Sequence, residues 1–464
     1  MADNAVFSSG GNGGVIEKYD WNNNLIWSFI ISGFSECQHH DIMPLPNGNI
    51  LAIVWEMHDS VDAVANGKNP ALVNQQFWGE KIVEIQPVGT NQANIVWEWK
   101  LWDHLVQEFD PSKLNYAMVV DHPELVNINY TTGSPVNPDW IHLNSIDYNA
   151  ELDQILLSSH NLSEIWVIDH STSTAEAATH TGGNSGKGGD ILYRWGNPAA
   201  YQRGTSGDRK FYSQHHASWI PQGYPSAGNI LVFNNGLNRP GGNYTSIDMI
   251  ETPVDIQGQY PIGATTAYLP DTLFWTYTDP IPTDFYANKI GGAYELSDGS
   301  FIITNGPKGT FFEIDANKET VWKYINPVNA GIMSQGATPV NNSVFRCNFY
   351  ESSYTAFASQ TLVPQGEIEL NPISPSICDS ILSSIDQTGI VDMRIYPNPA
   401  TTELHFPISA GTLDIEVFDI YGTSILHDNN ANNVLRLDGL ESGIYLLKIY
   451  SRSNTITQRI VIVK

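Results

Sequence analysis

A two-strand signature recurs five times along the first three quarters of this chain. An alternating apolar strand is followed by a polar turn and then by a strand carrying tryptophan. The copies read GGVIEKYDWNNNLIWSFI, KIVEIQPVGTNQANIVWEWK, EIWVIDHST…GDILYRWGNP, MIETPVD…TLFWTYTDP and GTFFEIDANKETVWKYINP. Before or between them lie further strand candidates: HHDIMPLPNGNILAI, IHLNSIDYNAELDQILLSS, HHASWIPQGYPSAGNILVF, GGAYELSDGSFIITN and QGATPVNNSVFRCNF. Four short strands per repeat is the spacing of propeller blades. A β-sandwich ranks well below a propeller, because the order of features holds through all five units. The tryptophans of IWSF, VWEW, YRWG and VWKY are expected in the cores of these sheets. WDHLVQEFDPSKLNYAMVVDHPELVNI (102–128) reads as a loop-rich, partly helical insertion.

Composition narrows the partners. The formal net charge is −27, so nucleic acid and anionic membranes, which reward clustered Lys and Arg, are excluded as expected partners. No apolar run is long enough to span a bilayer. Cys37, Cys347 and Cys378 are widely spaced and offer neither CxxC nor a disulfide framework. The repeat pattern stops near residue 366. A Pro/Ser/Asp-containing stretch, 367–391, reads as a linker, and 392–464 reads as a small separate β-sandwich with cleanly alternating strands.

That last unit resembles the C-terminal sorting domain of type IX secretion substrates. YPNPATTEL, VFDIYGTSI, LDGLESGIYLLKI and the terminal strand TQRIVIVK carry the resemblance, over about 393–464. It implies the type IX secretion machinery as a partner, export across the outer membrane, removal of the domain, and release or attachment at the cell surface. Such cargo also needs an inner-membrane export signal. None is visible at the start, so the true start is expected upstream.

The histidines are patterned. CQHHDIMPLPNGNILAI and SQHHASWIPQGYPSAGNILVF share Gln-His-His, a short apolar piece, a turn and Gly-Asn-Ile-Leu. Residues two apart on a strand share a face. His39 and Asp41 are therefore expected together with His40 pointing away, His142 is expected beside Asn144, and His215 aligns with His39. In a propeller the innermost strands converge on one channel, so His39/His40, His142/Asn144 and His215/His216 are expected to form one cluster there.

These motifs, with SEIWVIDHST and GDILYRWGNP, resemble the arylsulfotransferases (aryl-sulfate sulfotransferases) over roughly 10–366. The resemblance implies a six-bladed β-propeller for residues 1–366. It implies transfer of a sulfuryl group from an aryl sulfate donor to a phenolic acceptor through a sulfohistidine, with no nucleotide donor and no cofactor. The nucleophile falls in QHHA, on His215; His142 and Asn144 match supporting residues, and a further histidine lies at His39 or His40. Members usually carry arginine in the strand after His-x-Asn, where this chain has His160. Arg194 is a candidate to compensate at the substrate site. Five recurrences against six blades leave one blade to an upstream unit or to strand pairing across the termini.

The chemistry suits those residues. A neutral imidazole attacks the sulfur of an anionic ester without bringing a second anion close. Preorganised donors then stabilise the developing charge, and a second histidine handles the phenolic proton. A histidine at 160 is a weaker, pH-dependent substitute for a guanidinium, so His160→Arg is expected to raise activity or flatten its alkaline decline. His58, His104, His122, His170 and His180 are read as packing or hydrogen-bonding residues, and TGGNSGKGGD as a flexible loop that lacks a phosphate-loop spacing. Two rival functions remain at this level. One is a metal-dependent hydrolase built on the channel histidines, and the other is a non-catalytic surface propeller binding phenolic or glycan ligands.

Overall fold

The computed structural model describes residues 4, 6–363, 366–372, 395–406, 413–419, 423–431, 434–450 and 455–464. The chain divides into two compact units, Met1–Leu370 and Asn371–Lys464. Residues 367–370 belong with the first unit, where Leu370 N donates to Met333 O (3.0 Å), so that unit runs past the expected end at 366. Positions 373–391 of the expected linker, with Cys378, lie outside the described residues, as do 392–394 of the expected sandwich.

In the first unit the strands run β1 (Val15–Tyr19), β2 (Leu25–Ile30), β3 (Glu36–Pro44), β4 (Ile50–Asp59), β5 (Gln76–Val88), β6 (Gln92–Lys100), β7 (Leu105–Val106), β8 (Val126–Asn127), β9 (Leu143–Asn149) and β10 (Gln154–Ser159). They continue as β11 (Glu164–Asp169), β12 (Tyr193–Trp195), β13 (His215–Trp219), β14 (Ile230–Asn234), β15 (Ser246–Ile250), β16 (Trp275–Tyr277), β17 (Gly292–Glu295), β18 (Phe301–Asn305), β19 (Thr310–Ile314) and β20 (Thr320–Ile325). The protein is all-β. Four sheets have four strands each, in the orders β3-β4-β5-β6, β9-β10-β11-β12, β13-β14-β15-β16 and β17-β18-β19-β20. Every neighbouring pair within them is antiparallel. β1 and β2 form a hairpin, and β7 and β8 a short parallel pair inside the expected insertion.

Local sequence explains the meander. Asn47-Gly48 and Asp298-Gly299 turn the first strand of a sheet into the second, with the glycines at φ +87° and +82°. Apolar residues then pack sheet on sheet: Ile53, Trp99, Ile155 and Trp166 lie in one core, and Val167, Tyr193, Val232 and Ile250 in the next. Trp27, Trp97, Trp99 and Trp195 are buried as expected, but Trp322 is 45% exposed, on an edge strand.

Toward the expected six blades, the described residues of the first unit supply four four-stranded sheets and the β1–β2 hairpin. One expectation needs correction. QGATPVNNSVFRCNF forms no strand, although it is used. Polar side chains on the first strand of each sheet grip the next sheet's first strand. Ile146 N donates to Asp41 (3.1 Å), Ala217 N to Ser145 (3.0 Å), Trp219 N to Asp147 (2.8 Å) and Ala293 N to His216 Nδ1 (3.3 Å). Gly291 N donates to Phe345 O (2.9 Å), and Arg346 returns to Asp41 through an ion pair. The contacts form a closed circuit through β3, β9, β13, β17 and residues 344–346.

The second unit contains β21 (Glu403–His405), β22 (Leu413–Phe418), β23 (Ser424–Ala431), β24 (Val434–Arg436), β25 (Gly443–Tyr450) and β26 (Thr455–Ile462). One sheet has the order β23-β22-β25-β26, and β21 pairs with β24. Leu404, Ile415, Val417, Leu447, Ile449 and Ile460 form its own core.

Candidate active site

Three histidines hold the same unusual backbone. His40, His142 and His216 have φ of +53°, +55° and +43°, in the left-handed region that non-glycine residues rarely occupy. His40 and His216 sit at a break in strand register, and His142 immediately precedes a strand that has one. In β3 the pairing jumps from Gln38 to Ile42, in β13 from His215 to Ala217, and β9 slips where it passes Asn144. A bulge re-aims side chains and is frequent beside functional sites. Here it defeats simple alternation. His40, expected to point away, turns into the centre, while His39 packs beneath it against Trp55 (ring centroids 3.8 Å apart, interplanar angle 4°).

The structure brings most of the singled-out histidines together. Ring centroids run His39 to His40 (5.1 Å), His40 to His142 (4.4 Å), His142 to His160 (5.1 Å) and His160 to His215 (5.4 Å). His216 lies outside this arc, with its ring 4.6 Å from Tyr294. Asn144 makes no hydrogen bond to His142 among the described residues. Its Nδ2 donates to Gln214 O (2.8 Å), so it holds the backbone that leads into His215.

Hydrogen bonds fix the protons. Asn235 Nδ2 donates to Ala287 O (2.8 Å) and Ile290 O (3.1 Å), which turns Asn235 Oδ1 toward His215 Nδ1 at 2.8 Å. His215 therefore carries its proton on Nδ1 and keeps a lone pair on Nε2, which receives a long contact from Ile290 N (3.4 Å). Burial, with help from His160, pushes His215 down to about 3, so the ring is neutral. Asn161 likewise donates to Asp139 O (2.8 Å) and accepts from His160 Nδ1 (2.7 Å).

The charge sits on His142 rather than His160. Burial and His142 together push His160 down to about 4. For His142 burial also opposes the charge, but the carboxylate of Asp139, 2.5 Å from Nδ1, outweighs it and raises the pKa above 6.5. An imidazolium is therefore favoured not at His160, the position expected to stand in for an arginine, but at His142. Beside it, Glu80 Oε2 meets His39 Nε2 at 2.8 Å, and His39 Nδ1 meets His40 Nδ1 at 2.8 Å. Burial raises Glu80 well above the usual carboxyl range and keeps both histidines neutral. This chain can pass a proton between Glu80 and His40, which lines a cavity of about 660 Å³ with Gly11, Asp41 and Phe345. Gly11, at φ +84°, packs so closely that a Cβ there would lie 2.1 Å from the His40 ring.

Arg194 is a correction. It lies on β12, the strand of its sheet farthest from β9, and is fully buried. Its Nε and Nη2 donate to Glu164, and its Nη1 to the carbonyls of Pro123 and Leu125. Sequence reasoning missed Arg346, Asp139 and Glu80. Arg346 is the cation of the inner circuit, bound to Asp41 beside Phe345. The available signal for Asp139 was its position three residues before His142 in DWIH. Among the described residues the group of three metal-ligating side chains that lies closest together is His104, His180 and Asp190, outside the imidazole arc.

Fold and site together define an all-β protein whose sheets surround a buried arc of imidazoles, one of them paired with a carboxylate. The chain belongs to the arylsulfotransferase (ASST) family, whose model matches residues 7–341. Residues 394–463 match the secretion system C-terminal sorting domain, which marks the protein for type IX export to the cell surface or extracellular space. No curated protein matches the chain. Similar solved structures include a protein of unknown function from Bacteroides caccae (11% identity, 68% of this chain and 75% of that one, TM-score 0.33). Others are a putative 6-phosphogluconolactonase from Bacteroides fragilis (11%, 70% and 82%, 0.32) and virginiamycin B lyase from Staphylococcus aureus (10%, 68% and 64%, 0.30). Among the described residues no helix is long and apolar enough to cross a membrane.

Proposed function

We propose that this protein moves a sulfuryl group from a phenolic sulfate ester to a phenol through a sulfohistidine at His215. The observation that carries the reading is the fixed, neutral tautomer of His215, whose Nε2 lone pair belongs to a ring kept uncharged by burial. Nε2 attacks sulfur and the bond from sulfur to the aryl oxygen breaks. The leaving oxygen takes its electron pair and receives the Nε2 proton of His142. In the second half the acceptor phenol gives its proton to His142. Its oxygen attacks sulfur, and the pair of the broken S–N bond returns to His215. Asp139 orients and charges His142 in the manner of a carboxylate–imidazole dyad, and Arg346 supplies the permanent positive charge near the site.

The same reading takes the closed circuit of first strands as a propeller ring, closed by residues 344–346 together with β1 and β2. The six-bladed count of the family is not needed for that closure. The C-terminal unit serves export and contributes nothing to catalysis.

His142 sets the pH dependence. Its folded pKa is raised, so the imidazolium is fully present below its ordinary value of 6.5 and is lost as pH rises through the raised value. Turnover of a chromogenic aryl sulfate with a phenol acceptor is expected to fall on the alkaline side, and Asp139→Asn to move that fall to lower pH. A rate that needs no phenol, yields only free sulfate and vanishes with a chelator would overturn the reading in favour of a metal-dependent hydrolase.

A further inference from the structure

We infer that His104, His180 and Asp190 form a site for a divalent metal ion of the zinc class, separate from the imidazole arc. Three stretches distant in sequence converge there. His104 follows the turn Leu101–Asp103 after β6, His180 follows the short helix Thr174–Ala177, and Asp190 ends the glycine-rich loop TGGNSGKGGD. Nδ1 of His104 and Nδ1 of His180 both point at Asp190 Oδ1, at 2.8 and 2.7 Å. The three ligand atoms lie within 4.8 Å of one another.

His104 is prepared as a ligand. Its Nε2 lies 2.8 Å from the carbonyl of Ala177, which can only accept, so Nε2 carries the proton. That leaves the Nδ1 lone pair facing a carboxylate oxygen, an arrangement satisfied by an added proton or by a cation between them. A ring N–H donated to a backbone carbonyl is the usual support for a metal-bound histidine. The ring lies parallel to Trp99, whose Nε1 donates to Gly189 O (2.7 Å). Gly189 has no room for a side chain: a Cβ would lie 2.6 Å from His104 Nε2.

Donor chemistry sets the class of ion. Two imidazole nitrogens and one carboxylate suit zinc, cobalt or nickel rather than magnesium or calcium, which take oxygen. His104 and Asp190 are buried, while His180 is 60% exposed, so the ion enters from solvent and solvent completes its coordination. The site would clamp the glycine-rich loop onto the end of β6. It takes no part in sulfuryl transfer and does not depend on that reading.

The test is titration of Zn²⁺ into the dialysed full chain by calorimetry, with thermal melting alongside. One zinc per chain at micromolar affinity is expected, with a raised melting temperature. His180→Ala, which changes an exposed side chain, should weaken binding by more than the roughly 10–100-fold that losing a supporting partner of a ligand costs, and should abolish the zinc-dependent rise in melting temperature. His142→Ala should keep the zinc. No binding, binding that survives His180→Ala, or loss of zinc in His142→Ala would each overturn the proposal.

Discussion

A His215→Asn variant is expected to stay folded and to lose about 10³-fold or more of its aryl sulfate turnover. Asparagine still offers an N–H to Asn235 Oδ1, so the hydrogen bond that orders this corner is replaced in kind. What disappears is the Nε2 lone pair. His216→Asn should do far less to the chemistry. That ring accepts a hydrogen bond from Ala293 N and touches Tyr294, so its loss removes one contact between neighbouring sheets, worth about 1 kcal/mol. Steady-state rates for both variants, with circular dichroism to show that each is folded, separate the two histidines of the second QHH.

Arg346→Ala should cost stability as well as activity. Asp41 is 6% exposed and pairs with Arg346 through one oxygen while accepting from Ile146 N through the other. Removing the guanidinium strands a buried carboxylate and opens the circuit between residues 344–346 and β3. A penalty of roughly 3 kcal/mol is expected, the lower end for breaking a buried pair. Arg346→Lys should recover part of the stability and less of the activity, since an ammonium is not a planar fork. Urea denaturation measures the first, and transfer from a chromogenic aryl sulfate to phenol the second. An Arg346→Ala protein as stable as wild type would show that the circuit does not close through this pair.

Much of the fold could be read from local pattern. The tryptophan-bearing second strand and the polar turn before it mark all four complete sheets, because alternation and turn chemistry are local properties. The closing segment was misread. QGATPVNNSVFRCNF has the composition of a strand, but it joins β3 and β17 through single contacts at Phe345 and Arg346 rather than through a ladder. Trp322 shows the same limit: its strand repeats the pattern, yet among the described residues no further sheet strand covers it.

At the site, the residue types were readable and their directions were not. The two QHH motifs announced clustered histidines, but alternation set His40 pointing away from the face shared by His39 and Asp41. The left-handed turn at His40 reverses that choice, and nothing in the letters QHHD marks a bulge. The charges were less visible still. Arg194 and Arg346 both stand in apolar strand-like runs. One is engaged by Glu164, which lies two residues from Arg194's strand partner Trp166, and the other by Asp41, 305 residues away in sequence. Only the folded chain distinguishes them. It likewise moves the imidazolium from His160 to His142, because Asp139 lies against one ring and not the other.

The most direct measurement mixes the protein with an activated aryl sulfate in the absence of acceptor and follows both phenolate release and intact mass. The expected result is a burst of about one phenolate per active site, a mass increase of one sulfuryl group mapped to the peptide containing His215, and discharge of that group when phenol is added. Both burst and adduct should be missing in His215→Asn. Steady phenolate release with no adduct, or an adduct on another residue that persists in His215→Asn, would contradict the account.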